Sequence, residues 1–194
     1  MDESKHLNYF DETTQTVYIM TNIENDQFCE KVIIPLFEFY QMHPNMEDNK
    51  SINLMIDSGG GDYYACQNFI GLMYTMQQAG WKFVAYCFSR GYSSAAYIFI
   101  AADYRTLSKN AVIMFHCISE TNTSTNVREQ KRNADQYHYT INLLIDFIDH
   151  FTHLAEYYDI EEELRYDWYL YPGTAIQFGY ADEVISFLPK KIKT

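Results

Sequence analysis

The middle of the chain alternates between short apolar runs and segments with helical periodicity. The runs at 51–57, 83–88 and 111–115 are rich in apolar and β-forming residues, which predicts buried strands. The segments at 63–78 and 93–102 predict helices, and the second is apolar on every side, as a buried helix is. Repeated strand–helix–strand units favour a mainly parallel sheet covered by its crossover helices. The sequence therefore predicts an α/β fold.

The segment before these units has a weaker pattern. Residues 1–15 are mostly polar and predict a loosely held arm, while 16–20 predict a short strand. From 25 to about 43, apolar residues recur at the helical period. Pro35 lies inside this stretch, so it is expected to kink the helix or to mark its true start.

A long amphipathic helix, which we call the handle helix, is predicted over 126–158. A single exposed helix cannot bury an apolar stripe of this length, so it either folds back or interdigitates with another subunit. A short helix led by Asp159 and an edge strand at 181–185 are expected to follow, before a basic tail at 189–194. No repeat or linker divides the chain, so 1–194 is predicted to be a single domain.

Composition narrows the classes of partner. The net charge of −12 argues against nucleic acid or an anionic membrane as the main partner. Aromatic residues make up 17% of the chain. Side chains in this number present more apolar surface than one subunit readily buries, which indicates oligomerisation. The four cysteines show no C-x-x-C spacing. Because the first residues are polar and no run of 18 apolar residues occurs, we expect neither a signal peptide nor a membrane span. Free thiols in a reducing compartment are therefore expected, which favours the cytoplasm.

Polar and small residues follow the ends of several predicted strands. Residues 89–92 are expected to break the strand at 83–88, and Ser93 and Ser94 then open the buried helix. A serine there lies among free backbone N–H groups, which suits either a nucleophile with an oxyanion site or a simple helix cap. The glycines at 59–61 and His116 also follow strand ends, so they can share one crevice with the serines. The glycine turn matches no nucleotide-binding motif, and no metal-ligand spacing or cofactor motif is found.

Three segments, in this order, resemble a known family. Residues 56–61 (IDSGGG) are similar to its I-N-S-P-G-G turn, and 87–96 with 105–116 are similar to its serine helix and the segment ending in its histidine. The pattern over 167–182 is similar to its D-x-F-L…EA…YGL-D sequence. Over 16–186 the chain resembles the proteolytic subunit of the Clp protease, within the wider Clp/crotonase superfamily.

The resemblance implies a Ser-His-Asp triad of Ser93, His116 and Asp167. Ser93 is followed, at the second and third positions, by the small residues that the family pattern requires, and it keeps the preceding strand in register. Ser94 as the nucleophile is the alternative register. With Ser93 as the nucleophile, the N–H groups of Ser94 and Gly61 would form the oxyanion hole. No cofactor and no metal are implied.

The resemblance also implies an architecture and an activity. The fold would be stacked βαβ units with a mainly parallel sheet and a protruding handle helix. The protein would be an ATP-dependent-type serine endopeptidase that hydrolyses peptides or unfolded proteins inside a chamber of homo-oligomeric rings, with an AAA+ unfoldase as a further partner. The alternative is a catalytically impaired homologue that acts as a scaffold or regulatory subunit. Acyl-CoA chemistry on the related crotonase fold is less favoured, because His116 and Asp167 fall on peptidase positions and the chain is short.

The chain departs from the family pattern at informative positions. Gly59 stands where the oxyanion turn of the family has proline, and residues 117–126 lack the glycines that follow the family histidine. This divergence suggests a virus-encoded or otherwise specialised member. If the chain is phage-encoded, the expected location is the host cytoplasm.

Overall fold

The computed structural model describes residues 7–44, 50–117 and 126–186, and its strands form one eight-stranded sheet. The strands are β1 (Asn8–Asp11), β2 (Thr16–Ile19), β3 (Ser51–Ser58), β4 (Lys82–Tyr92), β5 (Tyr104–Ser108), β6 (Val112–Phe115), β7 (Trp168–Leu170) and β8 (Glu183–Ile185). Their order is β1-β2-β3-β4-β5-β8, and β6 pairs with β4 and β7. The pairs β1–β2 and β6–β7 are antiparallel, and the others are parallel. This confirms the predicted α/β class with a mainly parallel sheet.

Helices cover the sheet and build the core. They are α1 (Asn25–Phe28), a π turn (Cys29–Ile33), α2 (Ile34–Met42), α3 (Tyr63–Gln78), α4 (Ser94–Ile100), α5 (Val127–Phe151) and α6 (Ile160–Glu163), with short 3-10 turns at Leu154–Glu156 and Pro172–Thr174. The predicted bounds of α3 are confirmed. The Asp62 side chain caps α3 by accepting a hydrogen bond from the Ala65 N–H at 2.7 Å. Pro35 lies in the first turn of α2, directly after the π turn. The backbone stays helical through both junctions, so α1, the π turn and α2 run on without a break and the expectation that Pro35 marks the true start of the helix is wrong. The π turn lies where the missing N–H of proline interrupts the regular hydrogen bonding of the helix.

Strand β4 is longer than the sequence predicts. The prediction that 89–92 break it is wrong, because the strand runs to Tyr92 and changes its partner on the way. Its first part pairs with β5, and Arg90 to Tyr92 pair with β6. Strand β5 was not predicted at all, since its place depends on β4 and β8 on either side. The extended β4 therefore runs directly into Ser93.

The ends of the chain and the handle helix also differ from expectation. Residues 8–11 of the predicted arm form β1, which pairs with β2. The handle helix ends at Phe151, not at 158, because the Thr152 hydroxyl donates to the Ile148 carbonyl and accepts from the Leu154 N–H, which turns the chain. Its first half is largely exposed, whereas its second half is buried at Ile141, Leu144 and Ile148. The segments 118–125 and 189–194 lie outside the described residues.

Candidate active site

A serine in an unusual backbone conformation joins β4 to α4. Ser93 has φ +54° and ψ −126°, and among the described residues only Gln15 is another non-glycine with positive φ. The neighbouring backbone holds this conformation: the Ser93 N–H donates to the Met114 carbonyl at 2.7 Å, and the Ser93 carbonyl accepts from the Ala96 N–H at 2.8 Å. A sharp, strained turn between strand and helix presents its side chain beyond the strand end.

The imidazole of His116 contacts the Ser93 hydroxyl. The distance from His116 Nε2 to Ser93 Oγ is 2.7 Å, which is a short hydrogen bond. The contact follows from topology, because β4 and β6 run parallel with Tyr92 paired to Met114, so the residues that follow both strands lie at one edge. The arrangement allows the imidazole to accept the hydroxyl proton.

The carboxylate of Asp167 lies on the other side of the imidazole. Asp167 Oδ1 is 3.8 Å from His116 Nδ1, an ion-pair separation that is longer than a hydrogen bond. The antiparallel pairing of Phe115 with Trp168 brings the two residues together. The Asp167 side chain is 57% exposed, and its Oδ2 accepts a hydrogen bond from the Tyr169 hydroxyl at 3.4 Å. The structure thus brings Ser93, His116 and Asp167 together in that order.

The glycine turn after β3 packs against the serine. A Cβ atom on Gly60 would lie 2.6 Å from Ser93 Cβ and 2.5 Å from the Tyr92 carbonyl oxygen, and Gly60 has φ +90°. Only glycine fits this position. Gly61, with φ +143°, packs instead on the backbone of Ile23, which accepts from the Asp62 N–H and donates to the Gly60 carbonyl at 2.8 Å each.

The second serine is oriented differently from the first. Ser94 is 4% exposed, and its hydroxyl donates to the Gly61 carbonyl at 2.9 Å rather than to His116. Within the described part of the chain, the N–H groups of Ser94 and Gly61 donate to no protein acceptor. A cavity of about 480 Å³ opens over this region, lined by Gly59, Gly61, Tyr63, Ser93, Met114, His116 and Asp167. The cavity therefore combines a nucleophile–base pair with the free backbone N–H of Gly61. The second free N–H belongs to Ser94, which directly follows the lining residue Ser93.

A comparison with protein-family models matches residues 3–187 to Clp protease. The chain belongs to the Clp protease family. A search of curated proteins finds no match. Membership of the Clp protease family agrees with the three sequence motifs and supports a Clp-type peptidase, that is, a hydrolase that cleaves peptide bonds.

Two lining residues of this Clp protease site are not indicated by the sequence motifs. Tyr63 begins α3 directly after the glycine turn, and Met114 lies on β6 two residues before His116. Both positions adjoin strand or turn ends at the carboxyl edge of the sheet, where ligand sites of parallel sheets lie, and this was the available signal.

The buried thiols do not compete as nucleophiles. Burial raises the pKa of Cys66 and of Cys87 to about 12, so both remain protonated at neutral pH. Within the described residues, all four cysteines are free and no group of three metal-ligating side chains occurs. The same residues contain no helix long and apolar enough to cross a bilayer.

Proposed function

We propose that the chain is a serine endopeptidase of the Clp type, with Ser93 as nucleophile, His116 as general base and Asp167 as the carboxylate that orients the imidazole. The observation that carries the proposal is the 2.7 Å contact between Ser93 Oγ and His116 Nε2 at a strained strand-to-helix turn. Its substrates would be peptides or unfolded protein chains.

Each step of the reaction has a group available. His116 Nε2 takes the proton of Ser93 as the oxygen attacks the substrate carbonyl, and it then returns that proton to the leaving amine. Water, deprotonated by the same imidazole, then attacks the acyl carbon. The bond to Ser93 Oγ breaks, the imidazolium returns the proton to that oxygen, and the acyl group leaves as a carboxylic acid. Asp167 stabilises the imidazolium, and the attraction between opposite charges favours a separation shorter than 3.8 Å at that stage. The N–H groups of Gly61 and Ser94 would bind the oxyanion, each donor contributing about 3–4 kcal/mol to transition-state stabilisation.

Assembly into rings that enclose the sites is part of the same proposal. It is supported by the exposed first half of the handle helix and by large exposed side chains along the helix, such as Tyr139 at 65% and Leu143 at 43%. Apolar surface of this kind is commonly buried between subunits. Delivery of substrates by an AAA+ unfoldase and a cytoplasmic location complete the proposal, and native mass spectrometry with and without ATPase candidates tests the assembly.

One observation favours a second function. The 3.8 Å gap between His116 and the exposed Asp167 leaves the imidazole without a bonded carboxylate. A scaffold or regulatory subunit that keeps the fold but hydrolyses poorly would tolerate this gap.

Labelling with a fluorophosphonate probe, followed by peptide mapping, distinguishes the two functions. We expect label on Ser93 in the wild type, none in Ser93→Ala, and slower labelling that remains on Ser93 in Ser94→Ala. Ser89→Ala, an exposed serine four residues upstream, is the control and should label at the wild-type rate. Label on Ser94 would show that the register is wrong by one residue. An unlabelled wild type, in its assembled form, would favour the scaffold.

A further inference from the structure

We propose that Ser94 is a positioning residue whose hydroxyl fixes the glycine turn, residues 59–61, against the helix that begins after Ser93. The proposal rests on the proposed peptidase function and adds to it the part of the site that orients the oxyanion donors. No chemical step is assigned to the Ser94 hydroxyl.

The glycine turn needs an external restraint. Three consecutive glycines have the greatest backbone freedom of any tripeptide, and Gly59 takes the place where the resembling family motif has a proline. Gly60 and Gly61 adopt φ +90° and +143°, a pair of conformations that glycine leaves easily. The direction of the Gly61 N–H therefore depends on the hydrogen bonds that neighbouring groups make to the turn.

The hydrogen bonds of the turn divide into two groups. On one side, the Gly60 N–H donates to Ser58 Oγ at 3.1 Å and the Gly60 carbonyl accepts from the Ile23 N–H at 2.8 Å. On the other side, Ser94 Oγ donates to the Gly61 carbonyl at 2.9 Å. Between the described residues of the turn and those of α4, this is the one hydrogen bond. It joins the two elements that carry the proposed oxyanion donors.

Ser94 is well held for this task. It is the first residue of α4 and is 4% exposed, and its carbonyl accepts a hydrogen bond from the Cys66 thiol of α3 at 3.3 Å. In a buried site the hydroxyl has no water to exchange with, and its loss leaves the Gly61 carbonyl without this donor. The Ser94 side chain therefore sets the distance between its own N–H and that of Gly61.

The expected kinetic signature follows from where the donors act. An oxyanion hole binds the tetrahedral intermediate more strongly than the substrate, so a misplaced donor lowers kcat with little change in KM. We expect Ser94→Ala to lower kcat for a fluorogenic peptide by about 10–100-fold, less than or equal to the loss of one whole donor. Ser94→Thr keeps the hydroxyl and should recover most of this loss.

A second measurement does not depend on catalysis. Hydrogen–deuterium exchange of the peptide covering 58–63 should be faster in Ser94→Ala, by about 10-fold, and close to wild type in Ser94→Thr. Ser108→Ala is the matched control, because it removes a buried serine hydroxyl whose hydrogen bond is to the Asn110 N–H and not to the glycine turn. It should change neither kcat nor exchange at the turn.

The outcomes separate the two proposals. Unchanged exchange in Ser94→Ala, or an equal effect in Ser108→Ala, overturns the positioning role whether or not the protein is active. Faster exchange in Ser94→Ala than in the wild type, together with a wild type that neither turns over peptide nor takes the probe, would support the positioning role and refute the peptidase. A fall in kcat that Ser94→Thr does not recover, with exchange unchanged, would also count against the positioning role.

Discussion

Replacing Gly60 with alanine tests how tightly the glycine turn packs on Ser93. The added Cβ would lie 2.5 Å from the Tyr92 carbonyl oxygen, 2.6 Å from Ser93 Cβ and 3.0 Å from the Ser94 nitrogen. Non-bonded atoms prefer about 3.5–4.0 Å, and two of these three neighbours are backbone atoms that cannot rotate away. The substitution must therefore displace the turn, the serine or both.

The magnitude has two parts. An alanine at φ +90° costs about 1–2 kcal/mol in backbone strain. Overlap with the packed neighbours adds about 1–3 kcal/mol. The total loss of unfolding free energy is then about 2–5 kcal/mol, which lowers the Tm of a chain of this size by about 4–20 °C.

Two other glycines separate these parts. Gly80 has φ +87° but nothing within 4 Å of its added Cβ, so Gly80→Ala carries the strain alone, about 1–2 kcal/mol. Gly71 lies inside α3 with an open Cβ position and ordinary helical φ, so Gly71→Ala should stabilise the protein by about 0.5–1 kcal/mol. From the most to the least stable, the expected order is Gly71→Ala, wild type, Gly80→Ala and Gly60→Ala.

Urea unfolding at one protein concentration measures the series, and fluorophosphonate labelling of the folded variants measures the site. Labelling should fall at least about 10-fold in Gly60→Ala, since small displacements of reacting groups have large effects on rate, and should be unchanged in Gly80→Ala. If Gly60→Ala unfolds at the same urea concentration as Gly80→Ala, the close packing of Gly60 on Ser93 is refuted. Wild-type labelling in Gly60→Ala would refute its effect on the site.

Three further substitutions test buried and partly buried polar groups. Tyr97→Phe should raise the free energy of unfolding by about 1 kcal/mol, because the buried Tyr97 hydroxyl has no hydrogen-bond partner among the described residues. Tyr180→Phe should lower the free energy of unfolding by about 1 kcal/mol, because the Tyr180 hydroxyl donates to the Tyr171 carbonyl. Thermal unfolding of the two variants should show a higher Tm for Tyr97→Phe and a lower Tm for Tyr180→Phe, and shifts in the same direction would contradict the reasoning. Burial opposes ionisation of Asp103, yet the hydrogen bonds led by that from Lys82 outweigh it and lower the pKa. The difference in unfolding free energy between the wild type and Asp103→Asn should therefore be largest above the ordinary carboxyl pKa of about 3.9. It should disappear as the pH falls through the lowered pKa of the folded state. A difference that does not change with pH in urea titrations would contradict this.

The sequence predicted the helices and strands whose own residues determine their structure. Strand β3 and helix α3 were predicted because their apolar residues repeat at the strand and helix periods, and the Asp62 cap gives α3 a clear start. The extension of β4 was not predictable in this way. Its last residues include exposed Ser89 and Arg90, and they stay extended because β6 pairs with them.

The site shows the same division. The carboxyl-edge rule for parallel sheets was enough to expect Ser93 and His116 in one crevice, and the structure brings them into contact. The position of Asp167 depends on the antiparallel pairing of β6 with β7, which are far apart in the chain, and only the family resemblance pointed to it. The hydrogen bond from Ser94 to Gly61 joins side chain to backbone between two separate elements, so no periodic pattern encodes it.

The burial of α4 has a consequence for how the protein can evolve. Every residue of this helix, from Ser94 to Ile100, is buried, so the helix has no solvent-facing side on which substitutions are tolerated freely. The position of Ser93 is thereby tied to the interior of the molecule. Surface residues can therefore be substituted while the interior keeps Ser93 in place. We expect homologues of this chain to differ first at surface positions and last in α4.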